Sequence, residues 1–262
     1  MKEIVLITLH GMGRDGGGAE ALSARLGKLM GARWSRVAFH PVDYASLLQA
    51  PQDSLWQAMT QRYALDSAPI RTFLLHYLGD AGSLEFSAHR EPASYLAVQT
   101  RLHQALLAAW EACGQRSCPV VILAHSLGAQ VISNYLWDAQ HRQYLFANAP
   151  EHMSQQESFG ALSSLRRLIT TGCNIPLFTS GLKERHCFTR QPSDLIWDNY
   201  YDRDDPLGWP LRPLGSSYEW INDREINVGG VFSAWNPASH THYWDDEDLL
   251  RPLADALNAR TP

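Results

Sequence analysis

Apolar positions along the chain fall into two kinds of run. The short, continuous ones, Ile4-Val5-Leu6-Ile7-Thr8-Leu9 and Pro119-Val120-Val121-Ile122-Leu123-Ala124, are apolar on both faces, which predicts buried parallel strands. Residues 36–39, 165–172 and 194–201 read as further strands, and 225–228, ended by Gly229-Gly230, as the last. Between them the apolar period becomes helical over 19–30, 129–139 and 247–259. It is clearest over 95–112, where Leu96, Leu102, Leu106, Ala109 and Trp110 recur near helical spacing. Strands near 4–9, 34–39, 119–124, 165–171, 194–201 and 225–228, alternating with helices, predict an α/β fold. Its sheet is mostly parallel, with helices on both faces. Residues 140–164 form a polar excursion whose His141 and His152 read as solvated, and 176–179 reads as a short strand extension.

With 262 residues and 45% hydrophobic content the chain can bury a full core, and a single domain over 1–262 is expected. A net charge of −5 without a basic block argues against nucleic acid as a main partner. Cys113, Cys118, Cys173 and Cys187 lack zinc-ligand spacing, and His186-Cys187 alone does not make a metal site. No secretory pattern precedes the first strand and no apolar run reaches the roughly 20 residues that cross a bilayer, so a reduced, cytoplasmic setting is expected.

The second apolar run ends at Ala124-His125-Ser126-Leu127-Gly128 and then turns helical. A serine hydroxyl is a poor nucleophile until a tight turn exposes it, a base stands beside it and backbone N–H groups face the developing oxyanion. Small residues at Ala124 and Gly128 permit such a turn. A serine that merely caps the helix is the plain alternative. The pattern resembles the nucleophile elbow of the α/β-hydrolase superfamily, with Ala124 where glycine is commoner, as in a subset of bacterial lipases.

The resemblance implies further roles. His10-Gly11-Met12-Gly13, directly after the first strand, resembles the superfamily's His-Gly loop, so the N–H groups of Met12 and Leu127 are expected to form the oxyanion hole. The same stretch contains Gly11-x-Gly13-x-x-Gly16, a dinucleotide-like pattern that leaves the serine turn unexplained. A carboxylate is needed after a later strand, and composition does not choose among Asp202, Asp204 and Asp205. The string Asn-Tyr-Tyr-Asp-x-x-Asp-Pro-Leu resembles lipase-like hydrolases in which the aspartate before proline is the triad acid, which selects Asp205 and leaves the others as solvated acids or turn formers. For the base, His240 and His242 compete, and the resembling pattern His-x-x-Tyr-Trp selects His240. The order Ser126, Asp205, His240 is that of the superfamily.

Residues 54–63 and 70–78 read as helices rich in Trp56, Tyr63, Phe73 and Tyr77, followed by a loop at 79–83. This exceeds what one crossover needs, so 44–91 is expected to be a helical insertion near the active site, a lid or acyl-binding wall; ordinary helices packed on the sheet are the alternative. The expected activity is hydrolysis of a carboxylic ester with an apolar acyl or aryl group, through an acyl-enzyme and without metal or organic cofactor. Thioesterases, acyltransferases and peptidases use the same residues, and a binding protein can keep the fold without the chemistry.

Overall fold

The computed structural model describes residues 1–11, 18–84, 93–228, 240 and 242–259. Six strands, β1 (Ile4–Leu9), β2 (Val37–Val42), β3 (Val120–His125), β4 (Leu165–Thr171), β5 (Ile196–Tyr201) and β6 (Asn222–Glu225), form one sheet in the order β2-β1-β3-β4-β5-β6. Every neighbouring pair is parallel. With helices on both faces, the architecture is a parallel α/β sandwich, as the apolar runs predict. Continuous burial of β1 and of Val120–Ala124 in β3 follows from their central places, where both faces carry helices.

On one face α4 (Ala93–Ala112) and α5 (Leu127–His141) bury Val98, Leu102, Leu106, Val131, Ile132 and Tyr135 against the sheet. On the other, α1 (Gly18–Met30) and the C-terminal α8 (Glu247–Asn258) bury Leu22, Leu26, Leu249, Leu253 and Leu257 over Leu6, Val121, Leu123 and Ile169. Parallel strands connected in this way place all strand C-termini, and the loops after them, at one edge of the sheet.

Several boundaries differ from those expected, each for a physical reason. The second strand begins at Val37 rather than 34 and runs through Pro41; Gly31–Arg36 is a 3-10 turn. Proline is tolerated there because β2 is an edge strand, with one side free of ladder partners. The last strand lies at Asn222–Glu225, three residues before the expected 225–228. As the opposite edge strand it is polar and mostly exposed, so apolar patterning does not mark it. The expected strand extension at 176–179 is instead a short helix, α7 (Ile175–Thr179), with proline in its first turn, where a missing N–H costs nothing. The excursion at 140–164 contains α6 (Gln155–Gly160), started by a reciprocal Ser154–Glu157 capping box. Helices α2 (Ala45–Arg62) and α3 (Ala68–Leu84) are longer than expected, and 79–83 is helical rather than a loop. They pair with one another, with His76 Nε2 3.1 Å from Asp53 Oδ1, and expose Leu55, Met59, Ile70, Leu74 and Leu78.

The half of the sheet that carries β5 is pinned by buried polar groups. Asp198, fully buried, lies 3.1 Å from Arg167 on β4 and 2.7 Å from Arg224 on β6. One carboxylate thus ties three strands in register. Asn199, the next residue, accepts from Thr170 Oγ1 and donates to Asp223 and to the Trp209 carbonyl, which fixes the loop after β5. Among the described residues no helix is long and apolar enough to cross a membrane.

Candidate active site

Ser126 sits between the last residue of β3 and the first of α5, with φ 51° and ψ −117°. A non-glycine residue holds a positive φ only when its surroundings over-determine it, and such strain concentrates at functional turns. The surroundings are glycines packed without room to spare. A Cβ on Gly128 would stand 2.6 Å from the Leu9 carbonyl oxygen and 2.9 Å from that of His10, so α5 starts in contact with the end of β1. A Cβ on Gly11 would stand 3.0 Å from Ser126 Cβ and 2.8 Å from the His125 ring. These contacts press the first loop against the serine turn.

Three residues that the sequence singles out converge here from 114 and 35 positions apart. His240 Nε2 lies 2.7 Å from Ser126 Oγ, and His240 Nδ1 lies 2.8 Å from Asp205 Oδ2. All three are buried. An ionised carboxylate only accepts, so Nδ1 carries the proton donated to Asp205 and Nε2 presents its lone pair to the Ser126 hydroxyl. Asp205 also accepts from the Leu207 N–H through Oδ1, at 2.9 Å, and from the Tyr243 hydroxyl through Oδ2, at 2.9 Å. Burial pushes its carboxyl up, but the His240 hydrogen bond and charge, with the Leu207 and Tyr243 donors, outweigh burial and hold it below the ordinary carboxylate range.

The neighbouring acids separate cleanly. Asp204 is exposed. Asp202 is not the solvated acid expected as one outcome: it is buried, accepting the Asp204 N–H through Oδ1 at 2.8 Å and the Val228 N–H through Oδ2 at 2.6 Å. It thus works as a turn former that ties the loop after β5 to the chain leaving β6. His242 stands half-exposed with Nδ1 3.6 Å from Asp245, away from Ser126 contacts. Leu127, the first residue of α5, is buried, and its N–H is among the four helix donors without an intrahelical acceptor. Met12, the other expected oxyanion donor, lies outside the described residues, as do the remaining glycines of the dinucleotide-like pattern.

Sequence reasoning assigned no role to two side chains that the structure sets against this cluster. His125 packs on His240 with ring centroids 4.6 Å apart, and its Nδ1 lies 3.1 Å from both the Thr171 carbonyl and hydroxyl oxygens. Burial, then electrostatic repulsion from a protonated His240, pushes His125 down to about 3, so it stays neutral beside that ring. Tyr243 is fully buried, and its hydroxyl accepts the Asp202 N–H at 2.9 Å while donating to Asp205. Gly172, at φ 53°, lies under the imidazole of His240. The pattern His-x-x-Tyr-Trp contained the tyrosine, but a pattern does not say which way a hydroxyl points. His186 is exposed and its neighbour Cys187 buried; among the described residues no three or more His, Cys, Asp or Glu side chains gather where they could hold a metal ion.

No protein-family model and no curated protein matches the chain. Among solved structures it is similar to a candidate hydrolase of the alpha/beta superfamily from Xanthomonas campestris pv. campestris. The two share 13% sequence identity over 98% of this chain and 99% of the other, with a TM-score of 0.46.

Proposed function

We propose that the protein is a serine hydrolase that cleaves a carboxylic ester through an acyl-enzyme. The observation that carries this reading is the 2.7 Å approach of His240 Nε2 to the hydroxyl of a serine held at positive φ, with Asp205 2.8 Å from the other ring nitrogen. His240 takes the Ser126 proton as Oγ attacks the ester carbonyl. Asp205 keeps Nδ1 protonated and stabilises the imidazolium that forms. The Leu127 N–H and, from the His-Gly loop, that of Met12 receive the oxyanion. The imidazolium protonates the departing alcohol, and water, deprotonated by the same imidazole, then releases the acid and restores Ser126.

The substrate side of the reading rests on α2 and α3. Their exposed apolar side chains, on a pair of helices that begins one residue after Tyr44, suit a wall for an apolar acyl or aryl group. Tyr44 itself stacks on His10, 4.6 Å between centroids and 5° from parallel, so the helices are rooted beside the His-Gly loop. The test is a panel of p-nitrophenyl esters of rising chain length, an acyl thioester and an anilide, each with wild type and Ser126→Ala. Ester turnover that vanishes in the variant and prefers medium or long acyl chains is expected. Turnover confined to the thioester or the anilide would displace the ester assignment, and turnover surviving in Ser126→Ala would displace the mechanism.

A further inference from the structure

The hydroxyl of Tyr243 is the least expected polar group in the cluster. The side chain is fully buried, so its O–H must find partners within the protein. Among the described residues it has two: it accepts the Asp202 N–H at 2.9 Å and donates to Asp205 Oδ2 at 2.9 Å. That oxygen is also the acceptor for His240 Nδ1 at 2.8 Å, so one carboxylate atom serves two donors. The junction is closed off by Gly208, where a Cβ would stand 2.6 Å from Asp205 Oδ2 and 2.9 Å from the Tyr243 oxygen.

We propose that Tyr243 is a positioning residue for Asp205: held by the Asp202 N–H, its hydroxyl fixes the rotation of the carboxylate and tempers the oxygen that orients His240. An Asp carboxylate has a broad χ2 well, so a single backbone donor at Oδ1 leaves it room to swing. A second donor at Oδ2, itself fixed by a backbone N–H, removes that freedom. It also draws electron density from the oxygen that His240 uses, which limits how tightly the imidazolium is held. Among the described residues the ionisable groups that face the phenol are Asp205, Asp202, His240 and His125. Burial and then the Asp205 charge push its ionisation far above the ordinary phenol range, so it remains a donor throughout the working pH range.

The effect on rate rests on the hydrolase reading above; the hydrogen-bond geometry does not. Tyr243→Phe keeps the ring and removes only the hydroxyl. Tyr218→Phe, which removes another buried tyrosine's hydroxyl, bonded to the His186 carbonyl and remote from the cluster in its partners, serves as the stability control. Two readouts are made: the low-field proton resonance of His240 Nδ1–H, and the pH profile of fluorophosphonate labelling of Ser126. Freed of its second donor, Asp205 Oδ2 becomes the stronger acceptor. In Tyr243→Phe the resonance is therefore expected to move further downfield and the acid limb of the profile to move to higher pH. Labelling at neutral pH should be slower by about ten-fold as the carboxylate loses its fixed orientation. Tyr218→Phe should lower the melting temperature comparably and leave resonance and profile unchanged. If the resonance of Tyr243→Phe stays at the wild-type position, the proposal is overturned, whatever happens to the melting temperature. If wild type itself does not label, the hydrolase reading fails, and the resonance still decides on Tyr243.

Discussion

Gly172→Ala tests the rigidity of the histidine cluster without altering Ser126, Asp205 or His240 themselves. The residue adopts φ 53°, where an alanine Cβ is strained by about 1 kcal/mol or somewhat more. That Cβ would also stand 2.8 Å from His240 Cε1, 3.0 Å from its Nδ1 and 3.1 Å from His125 Cε1. Relief to an ordinary contact of 3.4 Å requires the His240 ring to retreat by about 0.6 Å (3.4 − 2.8). The ring is held on its other sides: His125 packs against it at 4.6 Å, tilted by 45°, and its two nitrogens are held at 2.7 Å and 2.8 Å by Ser126 and Asp205. A base displaced by that amount loses between about ten- and a hundred-fold in rate, since about 1 Å of misplacement costs about a hundred-fold. The melting temperature should fall by only about 2–5 °C for a chain of this size. The assay pairs kcat/KM for a reactive ester with a thermal melt. A variant with activity within about two-fold of wild type would refute the inferred rigidity of the histidine cluster.

Other predictions follow from the same contacts. Asp205→Asn leaves the shape of the site but no longer favours the Nδ1–H tautomer, so fluorophosphonate labelling should slow by about three to four orders of magnitude without loss of fold; near-normal labelling would assign the acid elsewhere. Asp198→Asn removes the charge between Arg167 and Arg224, and because both arginines are partly exposed the loss should be nearer about 2 kcal/mol than the upper range for buried pairs. A lower urea midpoint at unchanged slope, with labelling rate retained, is the expected result. Asp138, buried on α5 and bonded to the Tyr95 hydroxyl at 2.5 Å, is pushed up by burial, to about 6, against the opposing Tyr95 hydrogen bond. A folded value above the unfolded one means the native state holds the extra proton between about pH 4 and 6. Its contribution is therefore full below about pH 4 and lost as the pH rises through about 6. Melts of wild type and Asp138→Asn across pH 4–7 should show wild type losing ground to the variant as pH rises; parallel curves would contradict this.

Central strands and the serine turn were readable in the sequence because burial on both faces leaves apolar residues, Thr8 apart, at 4–9 and 120–124, and the tight turn needs small residues at Ala124 and Gly128. Edge strands were legible only in part: Val37-Ala38-Phe39 marked β2 but not its continuation through Pro41, and the polar, mostly exposed Asn222–Glu225 of β6 carries no apolar signature. The helices at 45–84 were underestimated because their stability draws little on buried apolar stripes that a period would reveal, and much of their apolar surface is exposed. For the site, the choice of Asp205 over Asp202 and Asp204 rested on a resemblance. The physical distinction, that Asp202 spends both oxygens on backbone N–H groups while Asp205 faces His240, exists only in three dimensions. The supporting contacts of Tyr243, His125 and Gly172 were equally invisible, since each is a meeting of loops from different strands.

Intact-mass analysis after treatment with a fluorophosphonate probe tests the central claim most directly, applied side by side to wild type, Ser126→Ala, His240→Ala and His242→Ala. One adduct on wild type and on His242→Ala, none on Ser126→Ala and little on His240→Ala is the predicted result. A folded wild type that takes no adduct, or an adduct that persists in Ser126→Ala, would contradict the assignment of Ser126 as a nucleophile activated by His240.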